Sequence, residues 1–237
     1  SRDFAAAAKG YEELAVGEPK RDFSEKAFNE AVVNYVRAQD YDSATRTISK
    51  WVAKYKDSKP AIESLRDVAT NAIITGHFEK AGALFRILGK RGDPNSLEVA
   101  GRLYEGSGNL TEAAADFQHY LQNFKSAPNR GQVALSLSQW YDYSKNDPEA
   151  IKYLKLCFSE ETDTTAECGA RLADMYVRLE DLPQANRYYQ AVAARGMGKK
   201  KKADDSPWVG YARYFLATAV ERDARMAKRT LQDDELK

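Results

Sequence analysis

The chain has 237 residues, with 36 Lys and Arg against 35 Asp and Glu, so its formal net charge is +1 at pH 7. This balance argues against a nucleic-acid partner, because nucleic-acid-binding domains usually carry a clear basic excess. Hydrophobic residues make up 43% of the chain, which is enough for a core. No apolar run approaches the roughly 20 residues of a membrane-spanning helix. We therefore expect a folded protein that does not span a membrane.

An internal repeat of about 36 residues runs through nearly the whole chain. Each copy has an alanine followed, four and seven residues later, by mostly apolar residues on the same helix face. An aromatic residue recurs nine residues before most of these alanines, and a small residue recurs twelve residues before them. Tyr104 and Gly101 hold these positions before Ala113. The pattern predicts two helices in each repeat. The six alanines are Ala7, Ala44, Ala81, Ala113, Ala150 and Ala185.

In chain order, the pattern begins with one unpaired helix and continues with five complete pairs. Residues 1–19 match only the second helix of a repeat, and no initiator Met or signal peptide precedes them, so we expect a fragment of a longer chain. The predicted repeats cover residues 22–59, 60–93, 94–127, 128–162 and 163–198. A basic loop at 199–206, which contains Lys199 to Lys202, and a capping helix at 207–237 complete the chain. Proline and turn residues stand at the proposed boundaries.

This pattern resembles the tetratricopeptide repeat (TPR) family. The third complete copy is the nearest match, and the resemblance extends over almost the whole chain. The residues that carry it there are Leu97, Gly101, Tyr104, Gly108, Ala113, Phe117, Tyr120 and Pro128. The resemblance implies an all-α fold: a right-handed superhelical solenoid of antiparallel helix pairs, closed by a C-terminal capping helix, with a long concave surface.

In this family, residues of the first helix of each pair line the concave groove that binds a peptide or a partner protein. The resemblance therefore implies a groove that combines apolar, polar and charged side chains. Carried over by position, its candidate residues are Asn29, Val33, Val36, Arg37, Arg66, Thr70, Asn95, Glu98, Arg102, Gln132, Leu135, Gln139, Tyr143, Asp174 and Arg178.

No constellation of residues indicates catalysis. The only imidazoles are His77 and His119, and neither has cysteine or carboxylate neighbours at metal-ligand spacing. The chain has no glycine-rich phosphate loop and no paired nucleophile and base. We therefore expect no enzyme activity, no cofactor, no metal and no small-molecule substrate.

Two cysteines, Cys157 and Cys168, flank a predicted turn at equal distances from its centre. A disulfide between them would join the fourth and fifth repeats and favour an extracytoplasmic location such as the bacterial periplasm. In the alternative, both thiols are free and buried in a cytoplasmic protein.

Two classes of function fit the sequence. The first is a scaffold that binds a protein or peptide in its groove and so assembles a multiprotein complex. The second is a structural spacer, or a segment that associates with itself through exposed terminal helices.

Overall fold

The computed structural model describes residues 2–195 and 206–219. Within these residues it contains helices and turns but no strand, which confirms the all-α prediction. Most of the predicted basic loop (199–205) and the end of the predicted capping helix (220–237) lie outside the described residues. The chain forms two compact units, Ser1–Phe124 and Lys125–Lys237.

The first unit contains seven helices among its described residues, and short turns join each helix to the next. They are α1 (Arg2–Gly17), α2 (Arg21–Arg37), α3 (Tyr41–Lys54), α4 (Lys59–Ile74), α5 (Phe78–Lys90), α6 (Pro94–Gly106) and α7 (Leu110–Asn123). Such short connections make successive helices antiparallel. Helices α2, α4 and α6 are first helices of predicted pairs, and α3, α5 and α7 are second helices.

In the second unit, first and second helices of predicted pairs also alternate. Its helices are α8 (Arg130–Tyr143), α9 (Asp147–Ser159), α10 (Thr165–Arg178) and α11 (Leu182–Arg195), and residues 207–219 are also helical. Here α8 and α10 are first helices. The boundaries of the repeats, and their continuity as a single solenoid, stay predictions.

The turn between the two helices of a pair has the same backbone geometry in every pair. One residue has a positive φ between 59° and 82°, in the left-handed region where a helix commonly ends. The next residue donates its N–H to the carbonyl of the residue five positions earlier, as Asn109 does to Tyr104 at 2.9 Å. The residues with positive φ are Gln39, Gly76, Gly108, Lys145 and Glu180.

The residue after the left-handed position precedes the second helix and usually caps it. Asp40, Asn109, Asn146 and Asp181 accept a hydrogen bond from a backbone N–H three residues later, which satisfies one of the free donors of a helix N-terminus. His77 holds this position before α5 and makes no side-chain capping bond.

Within a pair, the repeated alanine face of the second helix packs against the first helix. A Cβ atom added at Gly101 of α6 would lie 2.4 Å from Cε1 of Phe117 on α7. The small residue twelve positions before Ala113 is therefore needed because the Phe117 ring lies against it. In α3, this face consists of Ala44, Ile48 and Trp51, all fully buried.

Between pairs, an adjacent face of the second helix packs against the next first helix. A Cβ atom at Gly82 of α5 would lie 3.0 Å from the ring of Tyr104 on α6, and one at Gly89 would lie 2.5 Å from Cβ of Leu97. These glycines follow the repeated Ala81 by one and eight residues. Within each unit, a second helix that lies between two first helices thus has two packing faces, one for its own first helix and one for the next.

Helix α1 packs through only one of these two faces. Ala8 and Ala15 are fully buried, and the Ser24 hydroxyl of α2 donates to the Ala15 carbonyl at 2.6 Å. The other face, which carries Ala7, Tyr11 and Leu14 at the repeated positions, is exposed: Tyr11 is 40% and Leu14 55% accessible.

Candidate functional site: the first-helix surface

The candidate site is the first-helix surface, which we define by the predicted groove residues on the first helices. In the first unit, these residues lie on α2, α4 and α6. Asn29, Arg37, Arg66, Thr70 and Asn95 are exposed there. Val33, Val36, Glu98 and Arg102 are half-buried, and Val36 packs against the core formed by α1 to α5.

A cavity of about 500 Å³ opens between α2 and the start of α4. It contains Asn29 and the residues one and two turns before it on α2, which our sequence prediction missed. A signal was present, because residues four positions apart share a helix face. The lining residues are Arg21, Asp22, Glu25, Lys26, Asn29, Glu30, Trp51 and Pro60.

The charges around this cavity have both signs. Arg21 pairs with Glu25 at 2.7 Å and with Asp57 at 3.2 Å, and these hydrogen bonds raise the pKa of the arginine. Lys26 and Glu30 are exposed beside them. The cavity can therefore offer hydrogen bonds and charges of either sign to a polar chain.

The predicted arginines of the first unit contact groups of the protein itself. The Arg66 guanidinium lies 3.2 Å from the Asp93 carboxylate. Arg102 lies 3.0 Å from Glu105, and its guanidinium is 5.1 Å from the centre of the Phe117 ring. A partner carboxylate would have to compete with these contacts.

In the second unit, a smaller cavity of about 140 Å³ lies between α8 and α10. It brings together the predicted residues Gln139, Asp174 and Arg178. Arg178 lies 2.7 Å from both Asp142 and Asp147, and the hydrogen bond to Asp142 raises its pKa. The cavity also contains Arg171, which the prediction omitted although it lies one turn before Asp174 on the same face.

The carboxylate of Asp174 accepts hydrogen bonds from two tyrosines. Tyr189 and Tyr211 both donate their hydroxyl protons to the same carboxylate oxygen of Asp174, Tyr211 at 2.9 Å. Burial and the Asp174 carboxylate raise the pKa of Tyr189. Asp174 therefore fixes α11 and the helical residues 207–219 to α10, and this is a structural role.

The other predicted residues of α8 differ in accessibility. Leu135 is only 9% exposed, so it belongs to the core and cannot act as an exposed apolar contact as the prediction required. Tyr143 is 79% exposed at the end of the helix. Gln132 borders a third cavity, of about 280 Å³, beside Thr162 to Thr164.

The structure joins Cys157 of α9 to Cys168 of α10 through a disulfide, with their Cα atoms 6.0 Å apart. This separation lies within the range that the bond allows. Both residues are fully buried. The bond links the second helix of one predicted repeat to the first helix of the next.

Among residues 2–195 and 206–219, no group of three or more His, Cys, Asp or Glu side chains could hold a metal ion. His77 is exposed and lies edge-on to the ring of Tyr41 at 4.8 Å. His119 is half-buried on α7. None of the helices in these residues has both the length and the hydropathy needed to cross a lipid bilayer.

The architecture is defined by helix pairs with a 36-residue period, by a shared turn geometry, and by second helices that pack, within each unit, against their own first helix and the next one. The fold is TPR-like. No protein-family model matches the chain, and no curated protein matches it either.

Several solved structures are similar to the chain at low sequence identity. The C-terminal part of a TPR repeat-containing protein from Cytophaga hutchinsonii is 18% identical with a TM-score of 0.46, over 94% of this chain and 87% of that one. A tetratricopeptide repeat protein from Parabacteroides merdae is 15% identical with a TM-score of 0.45, over 86% and 78%. MamA from Desulfovibrio magneticus is 15% identical with a TM-score of 0.44, over 75% and 97%. At these values, the similarity carries no inference about partners.

Proposed function

We propose that this chain is a non-catalytic scaffold that binds a peptide or a partner protein on its first-helix surface and so assembles a multiprotein complex. The observation that supports this most is the cavity between α2 and α4, which opens beside Asn29. Its volume of about 500 Å³ lies in the range of ligand-binding clefts. Its charges of both signs suit the main chain and polar side chains of a peptide.

The first helices of the second unit offer a different kind of contact. Tyr143 is an exposed aromatic residue, and such residues supply much of the binding energy in protein interfaces. Gln139 is exposed on the same helix. We propose that these two side chains also contact the partner.

A capture experiment with two matched variants tests this function. The surface variant carries Asn29→Glu, Thr70→Glu and Asn95→Glu, all at exposed positions of first helices. The control variant carries Ser49→Glu, Ala53→Glu and Ala115→Glu, at exposed positions of second helices. Both variants gain three negative charges, on first helices in one variant and on second helices in the other.

We expect the parent and the control variant to capture the same partner from lysate of the native host, and the surface variant to lose it. Circular dichroism must show equal helicity for all three proteins. If the surface variant captures the same partner as the parent, the proposed function is wrong.

The exposed face of α1 favours a second candidate function, self-association. Phe4, Tyr11 and Leu14 are each at least 39% exposed there, and adjoining exposed apolar residues often mark interaction sites. Light scattering coupled to size exclusion should show a mass that rises with concentration. Tyr11→Glu with Leu14→Glu should abolish the rise, and a constant monomer mass for the parent would contradict self-association.

We also propose that the Cys157–Cys168 disulfide forms in the cell and that the protein works in an oxidising, extracytoplasmic compartment such as the bacterial periplasm. The separation and burial of the two cysteines support this proposal. The test is alkylation of the denatured, unreduced protein isolated from its host. We expect no labelled thiol, and two labelled thiols would favour a cytoplasmic protein instead.

A further inference from the structure

A second surface of the first unit has the features of a docking site, away from the first-helix surface. It is a cavity of about 370 Å³ at the turns that precede α3 and α5, and both aromatic and charged residues line it. We call it the turn cavity. Its lining residues are Gln39, Asp40, Tyr41, Asp42, Gly76, His77, Phe78, Glu79, Lys80 and Ser107.

Aromatic rings form the wall of the turn cavity. Tyr41 is held in place because its hydroxyl donates to Oδ1 of Asn71 at 2.6 Å, and its ring lies edge-on to His77 at 4.8 Å. Phe78 is 44% exposed, and Ile74, at the adjoining end of α4, is 77% exposed. Such adjoining exposed apolar residues can bury the side chain of a partner.

The charged residues of the turn cavity are mostly acidic. Asp40, Asp42 and Glu79 line it, and Lys80 is the one Lys or Arg among its lining residues. Lys80 lies 2.5 Å from Asp42, so its charge is already matched. Hydrogen bonds from Ser43 lower the pKa of Asp40 although burial opposes the shift, which keeps this carboxylate ionised at neutral pH.

The positive N-termini of α3 and α5 offset the negative charge of the turn cavity only in part. The N-termini of α3 and α5 both face the turn cavity, and each carries about half a positive charge. Asp42 and Glu79 lie in the first turns of these helices and offset that charge. Asp40 adds a further carboxylate, so the cavity still favours a cation.

We propose that the turn cavity docks an arginine-containing, apolar segment of a partner protein. A large apolar side chain of the segment packs against the exposed ring of Phe78, and the guanidinium pairs with Glu79 and Asp42. Arginine fits better than lysine because its planar guanidinium can stack on the exposed rings as well as pair with carboxylates. The first-helix surface and the turn cavity could then hold two different partners at once.

The probe is a fluorescein-labelled peptide with the sequence Gly-Arg-Leu-Arg-Phe-Arg-Gly, and its affinity for the full chain is measured by fluorescence anisotropy. Asp42→Asn combined with Glu79→Gln should weaken binding about tenfold, since each exposed charge pair contributes up to about 1 kcal/mol. Lys80→Ala should strengthen binding about threefold, because it removes the competing ammonium from Asp42. Added salt should weaken binding to the parent.

Matched controls separate this site from general attraction to an acidic surface. Glu63→Gln with Asp67→Asn removes two exposed carboxylates of α4 and should leave the affinity unchanged. Phe78→Ser should weaken binding, whereas Val99→Ser, at an exposed apolar residue of α6, should not. A peptide with citrulline in place of each arginine should bind much more weakly than the probe.

The proposal fails if the Asp42 and Glu79 variant binds the probe as tightly as the Glu63 and Asp67 control, or if the citrulline peptide binds equally well. The variant with glutamates at Asn29, Thr70 and Asn95 should keep its affinity for the probe, relative to its second-helix control. The outcome is therefore independent of the function proposed for the first-helix surface.

Discussion

The Tyr35 hydroxyl on α2 donates a hydrogen bond of 2.8 Å to the Glu12 carboxylate on α1. Lys50 of α3 lies 2.7 Å from the other oxygen of the same carboxylate. One side chain of α1 therefore holds both helices of the following pair. Glu12 follows the repeated Ala7 by five residues, and the corresponding residues Arg86 and Lys155 place their charged groups over Tyr104 and Tyr176.

Glu12 should make the protein sensitive to acid. Burial opposes its ionisation, but hydrogen bonds from Lys50 and Tyr35 lower its pKa below the ordinary value of 4.5. A carboxylate with a lowered pKa adds stability above its ordinary pKa and loses it as the pH falls. Glu12→Gln should be less stable at pH 7 and should lose less stability on acidification. Urea unfolding at a series of pH values measures the free energy of unfolding. If this free energy changed equally with pH in the parent and in the variant, the prediction would be contradicted.

The contact between Tyr35 and Glu12 should also make the stability of the protein sensitive to alkaline pH. Burial and the Glu12 carboxylate raise the pKa of Tyr35 from 10.0 to about 12. The stabilisation is complete below the ordinary pKa and is lost as the pH rises through the folded value. Tyr35→Phe should therefore reduce the loss of stability between these two pH values, whereas Tyr143→Phe, at an exposed position, should not.

The sequence predicted the alternation of helices because the period of the repeat and the turn residues are local signals. Gly108 and Asn109, for example, end α6 and cap α7 as their residue types indicate. The cavities depend on how neighbouring helices approach each other, which the spacing of residues on one helix does not determine. Leu135 shows the difference, because its repeat position predicted an exposed contact whereas packing buries it.

Lys145 adopts the left-handed conformation with φ of 59°, at the position that Gly76 and Gly108 hold in other pairs. This conformation costs a residue with a side chain roughly 1–2 kcal/mol. We expect Lys145→Gly to raise the free energy of unfolding by about 0.5–1 kcal/mol after the entropic cost of glycine. Gly108→Ala should lower it by a similar amount. Thermal and urea unfolding measure both changes, and a destabilised Lys145→Gly protein would contradict the turn geometry.

His77 leaves the N-terminus of α5 without the side-chain cap that Asp40 and Asn109 give to α3 and α7. His77→Asp should accept a hydrogen bond from the first turn and interact favourably with the helix dipole. We expect a gain of about 1 kcal/mol in the free energy of unfolding. Asn109→Ala, which removes an existing cap, should cost about the same. If His77→Asp brought no gain, α5 would not begin where the structure places it.

Gly101 and Gly106 offer a matched pair of substitutions in α6. An added Cβ at Gly101 would overlap the Phe117 ring, whereas one at Gly106 has no atom within 4 Å. Gly101→Ala should destabilise the protein by about 1–3 kcal/mol, and Gly106→Ala should stabilise it by up to about 1 kcal/mol. Chemical unfolding distinguishes the two. Equal effects would mean that α6 and α7 do not pack at this distance.

The central claim, that the first-helix surface binds the partner, is tested most directly by site-specific photocrosslinking. Benzoylphenylalanine is placed at Asn29 or Tyr143 on first helices, or at Ala53 or Ala115 on second helices, and the protein is irradiated in lysate of its host. We expect the first-helix positions alone to crosslink a partner. Crosslinks from Ala53 and Ala115 to that partner, or crosslinks only to further copies of the chain, would contradict the claim.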